Sequence, residues 1–164
     1  MSKTIAYHFV GDTLRDGRPV PPDGEWLEHE GEIKMCETGL HASLRPWDAL
    51  QYAPGPVLCE VEVDGIDSYD VDKLVARRRR ILRRVNLTAD LRSFARAEAS
   101  SVSHLWSAPA VVREYLETGD ESIRAAAWAA AWDATWDAAR AAAWAAARER
   151  FDVVVMAALS RVPS

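Results

Sequence analysis

The chain has 164 residues, 49% of them hydrophobic, and a formal net charge of −5 at pH 7. This hydrophobic content is enough for a packed core, which excludes a disordered or fibrous protein. Charged residues interrupt the alanine-rich tract and the N-terminal residues lack a secretory pattern, so we expect a soluble, cytoplasmic protein without a membrane span. Its two cysteines are expected to be reduced thiols, and neither a metal nor a cofactor is expected.

The charges are unevenly distributed along the chain. Residues 1–70 hold fourteen acids against five bases, whereas residues 71–100 hold three acids against nine bases. The acidic part argues against a general affinity for nucleic acid, while the basic part could hold one phosphate-bearing partner.

The first predicted elements are short strands and one helix. Thr4–Val10 is rich in β-branched and aromatic residues, which predicts a strand. Two shorter strands are predicted at Ile33–Cys36 and Leu40–Ala42. Ser43 is expected to cap a short helix that begins near Pro46, since proline is tolerated in a first helical turn.

The next predicted elements complete a sheet. Val57–Val63 alternates between two sets of side chains and predicts a strand that Asp64 and Gly65 should end. Residues 74–85 fit a basic strand or a basic helix, and we favour the strand. The sequence therefore predicts an α+β protein, with a small mixed or antiparallel sheet and one short helix over residues 1–86.

Residues 87–164 are predicted to be helical. Thr88 is a plausible cap for a helix over about 88–106, and a shorter helix is expected over 108–118. The stretch of about 121–159 contains neither Gly nor Pro and is rich in alanine, which predicts one long helix. Its final apolar residues recur at helical spacing, so we expect this end to dock on the core.

The long predicted helix carries large side chains at every fourth position. This ridge consists of Trp128, Trp132, Trp136, Arg140, Trp144 and Arg148. One interpretation is that the tryptophans pack on the protein's own core. The other is that part of the ridge binds a protein partner or a second copy of the chain, because Trp and Arg are enriched at binding hot spots.

Six arginines form the concentrated basic run of the sequence. They are Arg77, Arg78, Arg79, Arg80, Arg83 and Arg84. They could pair with the acidic first seventy residues of the same molecule, or they could bind an anion, RNA, DNA or an acidic protein surface.

The stretch of residues 33–65 resembles a small domain family of unknown function that is common in bacteriophages and prophages. The resemblance rests on a C-x-x-G-[FL]-H-[AS] signature followed by a helix that starts with proline. The matching positions are Cys36, Gly39, Leu40, His41, Pro46 and Asp48. The resemblance implies an α+β domain in a phage or mobile-element setting, and it transfers no activity.

A second, weaker similarity concerns the order of parts in ADP-ribosyltransferases. A histidine on the first strand, a later Gly-x-His-x-Ser turn and a Glu-x-Glu strand look like that order. By this similarity His8 would hold the nicotinamide dinucleotide, and Glu60 or Glu62 would polarise the ribose. This sequence departs from that order, because both glutamates are predicted to lie on a middle strand and no later Glu-x-Glu follows. His8, His41 and Glu60 could act together as acid or base only if they face one cleft.

Common catalytic motifs, such as nucleotide-binding glycine loops and zinc-protease signatures, are absent from the sequence. We therefore expect a phage-associated accessory protein, more a binding protein than an enzyme, in the cytoplasm of a bacterial host. It would bind a host or defence-system protein or nucleoprotein, as an anti-defence or anti-CRISPR-type inhibitor does. The alternatives are an ADP-ribosyltransferase-like transferase and a structural module that self-associates through the long helix.

Overall fold

The computed structural model describes residues 4–105, 108–132 and 140–162. The chain divides into two compact units. The first consists of Met1–Thr88 and Asp152–Ser164, and the second of Ala89–Phe151.

The first unit contains an antiparallel five-stranded sheet, which confirms the α+β class. Its elements are β1 (Thr4–Val10), β2 (Trp26–Glu28), β3 (Leu40–Ala42), α1 (Pro46–Leu50), β4 (Val57–Tyr69) and β5 (Leu74–Asn86). The strand order is β1-β4-β5-β2, and β3 also pairs with β5. The long hairpin of β4 and β5 is therefore the centre of the sheet, and the basic run lies on a strand as predicted.

The sheet curls so that the chain just after β3, which pairs with β5, also reaches β1. Ser43, the residue after β3, exchanges backbone hydrogen bonds with Tyr7 of β1, at 2.7 and 2.9 Å. Because β3 also pairs with β5, the strands β1, β4, β5 and β3 form a ring. Buried residues of all four strands pack together. They are Ala6, Val10, Ala42, Cys59, Val61, Val63, Leu74, Ala76 and Ile81.

Three details of the predicted strands and helix are wrong. Ile33–Cys36 is not a strand, because a turn joins Lys34 to Thr38 and Cys36 takes a positive φ of 69°. Ser43 does not cap α1, because its backbone pairs with β1 and Arg45 precedes the helix instead. The strand β4 continues past Gly65, whose φ of 62° is open to glycine without strain.

The remaining elements are helices. They are α2 (Thr88–Ser101), a 3₁₀ turn (Ser103–Leu105), α3 (Ala110–Thr118), α4 (Arg124–Trp132) and α5 (Arg140–Leu159). Gly119 ends α3 in the left-handed conformation, as expected of a glycine at that position. The predicted continuity between α4 and α5 falls on residues 133–139, which lie outside the described residues. None of the described helices is long and apolar enough to cross a membrane.

The end of α5 docks on the sheet, as its apolar spacing predicts. Val155, Ala158 and Leu159 are fully buried. The guanidinium of Arg83 on β5 donates to the carbonyl oxygen of Leu159 at 3.1 Å. This helix end therefore belongs to the first unit although it follows the second unit in the chain.

Candidate functional site

The curled sheet brings together three polar residues that are distant in sequence. They are His8 of β1, His41 of β3 and Arg79 of β5. β1 and β5 are not neighbours in the sheet. Even so, the pKa of His8 lies well below its usual value because of burial first, and then because of the nearby charges of Arg79 and His41. The guanidinium of Arg79 also donates to the backbone carbonyl of His41, so the curled sheet holds these polar groups in one cluster.

His41 has a structural role in the loop before β3. Its Nε2 accepts a hydrogen bond from the backbone N–H of Cys36 at 3.0 Å. Burial lowers the pKa of His41, and a bond to the backbone of Gly39 opposes this shift, while Lys73 and Arg79 lower the pKa further. The neutral ring thus holds the backbone of Cys36 in its unusual left-handed conformation.

The structure does not bring Glu60 to the histidines. His8 lies opposite Cys59 in the pairing of β1 with β4, so Glu60, one residue later, points to the other face of the sheet. There Glu60 accepts from Arg83 at 2.7 Å, and Glu62 accepts from Arg80 at the same distance. His8 and these glutamates do not share a cleft.

All six arginines of the basic run are engaged within the first unit. Four of them pair with carboxylates: Arg78 with Glu28 and Asp64, Arg80 with Glu62, Arg83 with Glu60, and Arg84 with Asp23. Arg77 donates to the carbonyl oxygens of His29 and Gly31, and Arg79 donates to that of His41. The pairs agree with the hypothesis that the run neutralises the acidic first seventy residues.

Trp26 of β2 lies between two of these arginines. The guanidinium carbons of Arg78 and Arg80 stand 4.6 and 4.8 Å from the centre of its ring. Cation–π contact of this kind adds to the ion pairs of the same arginines. The sequence marks Trp26 as a large apolar residue in a polar loop, but it does not show which strand that loop joins.

A second polar cluster lies on the surface around Lys73. Its ammonium contacts the ring of Tyr52 at 4.6 Å and donates to the Tyr52 hydroxyl at 3.2 Å, which in turn donates to Asp72 at 2.6 Å. The neighbouring thiol of Cys36, which is exposed, and the hydrogen bond with Tyr52 raise the pKa of Lys73. Sequence reasoning missed this group, because its members come from a loop, a helix end and a hairpin turn.

Comparison with known proteins identifies the sheet as a family domain. Residues 4–93 match the model of a family described as a domain of unknown function, DUF7666. The chain belongs to this family. No curated protein and no solved structure matches the chain at a significant level.

The DUF7666 match covers the curled sheet, both polar clusters and the start of α2. It confirms the expected membership of a family without a known function. Among the described residues, no group of three His, Cys, Asp or Glu is placed to hold a metal ion.

The tryptophan ridge begins beyond the DUF7666 match, in the second unit. Trp128 on α4 is 69% exposed. Arg148 on α5 is half-buried. Trp136 lies outside the described residues, as do the side chains of Trp132, Arg140 and Trp144.

Proposed function

We propose that this chain is a phage-associated accessory protein that binds a protein of its bacterial host, or of a host defence system, through α4. The observation that carries the proposal is the exposure of 69% of Trp128. A tryptophan left in water forgoes a large burial energy, and it supplies that energy when a partner covers it.

The packing of α4 fixes the direction of this side chain. Ala127 is 3% exposed and packs with Ala108 and Val112 near α3. The next residue, Trp128, therefore points away from α3, and the neighbouring Ala125 and Ala129 are exposed and small. The exposed indole suits insertion into an apolar pocket of another protein.

The arrangement of the basic run favours a protein partner over nucleic acid. Most of its guanidinium groups already pair with carboxylates of the same unit. A phosphate backbone would have to displace these carboxylates, so little counterion release is left to drive binding. The phage setting rests on the resemblance of residues 33–65.

A photo-crosslinking experiment tests the proposal. The photoreactive residue benzoylphenylalanine is placed at position 128, and as a matched control at position 153, where Val153 is 70% exposed on α5. In a host lysate we expect one discrete protein to be crosslinked from position 128 and not from position 153.

Direct binding then tests the same surface with purified components. We expect the captured protein to bind the unmodified chain and to bind Trp128→Ala roughly 30-fold more weakly, as for a hot-spot residue of about 2 kcal/mol. The Val153→Ala variant should bind as the unmodified chain does. Equal affinity of Trp128→Ala would refute the proposal, and a crosslink to a second copy of the chain would replace it with self-association.

A further inference from the structure

The hairpin of β4 and β5 ends in the segment of residues 67–73, the hairpin tip. Val71 at its apex is 98% exposed, and Tyr69 on the β4 arm is 61% exposed. Tyr52, which follows α1 and contacts the tip, is 51% exposed. Large apolar side chains exposed close to one another are typical of a surface that binds another molecule.

Hydrogen bonds hold the hairpin tip in one shape. The backbone N–H of Asp70 donates to the carbonyl oxygen of Lys73 at 2.8 Å, which closes the turn. The backbone N–H of Val71 donates to the side chain of Asp70 at 2.8 Å. The hydroxyl of Tyr52 donates to Asp72 at 2.6 Å, which holds this ring against the tip. An ordered surface loses less entropy on binding than a mobile one, so the tip is suited to docking.

The hairpin tip carries a negative charge that the basic run does not neutralise. Three aspartates lie in it, Asp67, Asp70 and Asp72, against a single lysine. In the described part of the chain no ion pair engages these aspartates, whereas Asp64, earlier in β4, pairs with an arginine of β5. A partner that docks on the tip must therefore bring positive charge.

The hairpin tip already holds one cation of its own chain. The ammonium of Lys73 lies 4.6 Å from the centre of the Tyr52 ring and donates to the Tyr52 hydroxyl at 3.2 Å. Among the described residues no cation lies over the more exposed ring of Tyr69, which stands between Asp67 and Asp70 in the chain. Arginine suits this place, because its planar guanidinium stacks on aromatic rings and pairs with carboxylates through parallel donors.

We propose that the hairpin tip is a docking surface for a segment of a partner protein in which arginines alternate with apolar residues. The guanidinium groups stack on Tyr69 and pair with Asp67 and Asp70, while the apolar neighbours cover Val71. The tip belongs to the first unit and Trp128 to the second, so either proposal can fail without the other.

Titration of the full chain with three short synthetic peptides tests this surface. The peptides alternate arginine with leucine, lysine with leucine, or arginine with serine, so that all three carry the same charge. Backbone amide resonances of the isotope-labelled protein are followed by NMR. We expect the arginine–leucine peptide to give saturable shifts confined to the hairpin tip and Tyr52, and to bind at least about fivefold more tightly than either other peptide. Equal binding of the three peptides, shifts spread over other acidic segments, or absence of saturation would overturn the proposal.

Variants of exposed residues separate a specific surface from general attraction to an acidic protein. Asp67→Asn and Val71→Ser should each weaken binding of the arginine–leucine peptide about fivefold. Their matched controls are Asp12→Asn, which removes the same charge from another exposed place, and Val153→Ser on α5. Both controls, and Trp128→Ala, should bind the peptide as the unmodified chain does. If a control weakens binding as much as its matched variant, the peptide is not held by the hairpin tip and the proposal is wrong.

Discussion

Asp152 connects the end of α5 to the beginning of α1, and its removal tests how much this connection stabilises the first unit. One carboxylate oxygen accepts from the Arg45 guanidinium at 2.6 and 2.9 Å. The other accepts from the backbone N–H of Trp47 at 3.1 Å. The carboxylate thus serves both as an ion-pair partner and as an acceptor for an N–H of the first helical turn.

The expected cost of Asp152→Ala is about 2 kcal/mol. The side chains of Arg45 and Asp152 are 37% and 21% exposed, so solvent screens the ion pair, which contributes up to about 1 kcal/mol. The lost acceptor for the Trp47 N–H adds about 1 kcal/mol, because that group is left in a partly buried place.

Urea denaturation followed by circular dichroism measures this difference. The matched control is Asp16→Ala, whose partner Arg18 is half exposed and lies two residues away, and it should change the free energy of unfolding by less than about 0.5 kcal/mol. If the free energy of unfolding of Asp152→Ala equals that of the unmodified protein within error, the reasoning about the docked helix end is wrong.

Three further predictions concern the backbone conformation of two glycines, the reactivity of the two thiols and the titration of His8. Gly39→Ala should lower the free energy of unfolding by about 3 kcal/mol, because φ is 110° and the added carbon would lie 2.5 Å from a valine methyl. Gly31→Ala, at a similar φ but in open space, should cost about half as much in the same urea titration. In the folded protein iodoacetamide should modify the exposed Cys36 and spare Cys59, whose burial raises its pKa to about 11, and equal rates would contradict this. Folding lowers the pKa of His8 below 6.5, so below that pH the unfolded chain binds more protons than the folded protein. The stability present above pH 6.5 should therefore fall as the pH is lowered to 5. The fall should be smaller in His8→Gln.

Local patterns were sufficient to predict most elements of the sheet. The strand Thr4–Val10 has the predicted bounds, because its β-branched and aromatic residues are followed directly by turn formers. The basic segment of residues 74–85 is a strand, since its arginines find cross-strand partners on β4 that a helix could not offer. The strand predicted at Ile33–Cys36 failed, because the positive φ of Cys36 depends on a bond to a side chain five residues away.

Local sequence patterns could not predict the candidate sites. The sequence singled out His8 and Arg79 separately, but nothing in it shows that the sheet closes through Ser43 and Tyr7. That closure decides which residues meet in the interior. It depends on two backbone hydrogen bonds and on the twist of the strands, neither of which leaves a periodic signal in the sequence.

Alternation along β5 gives neighbouring arginines opposite roles. Arg80 faces outward and pairs with Glu62, whose side chain is only 8% exposed, so loss of Arg80 would leave a buried carboxylate without its partner, at a cost of roughly 3 kcal/mol. Arg79 faces inward without a carboxylate of the described residues, so its replacement by methionine should stabilise the protein. Arg80→Met and Arg79→Met should therefore shift the urea midpoint in opposite directions, although the two residues are adjacent. Two shifts of the same sign would mean that Arg79 contributes to folding in the way its neighbours do.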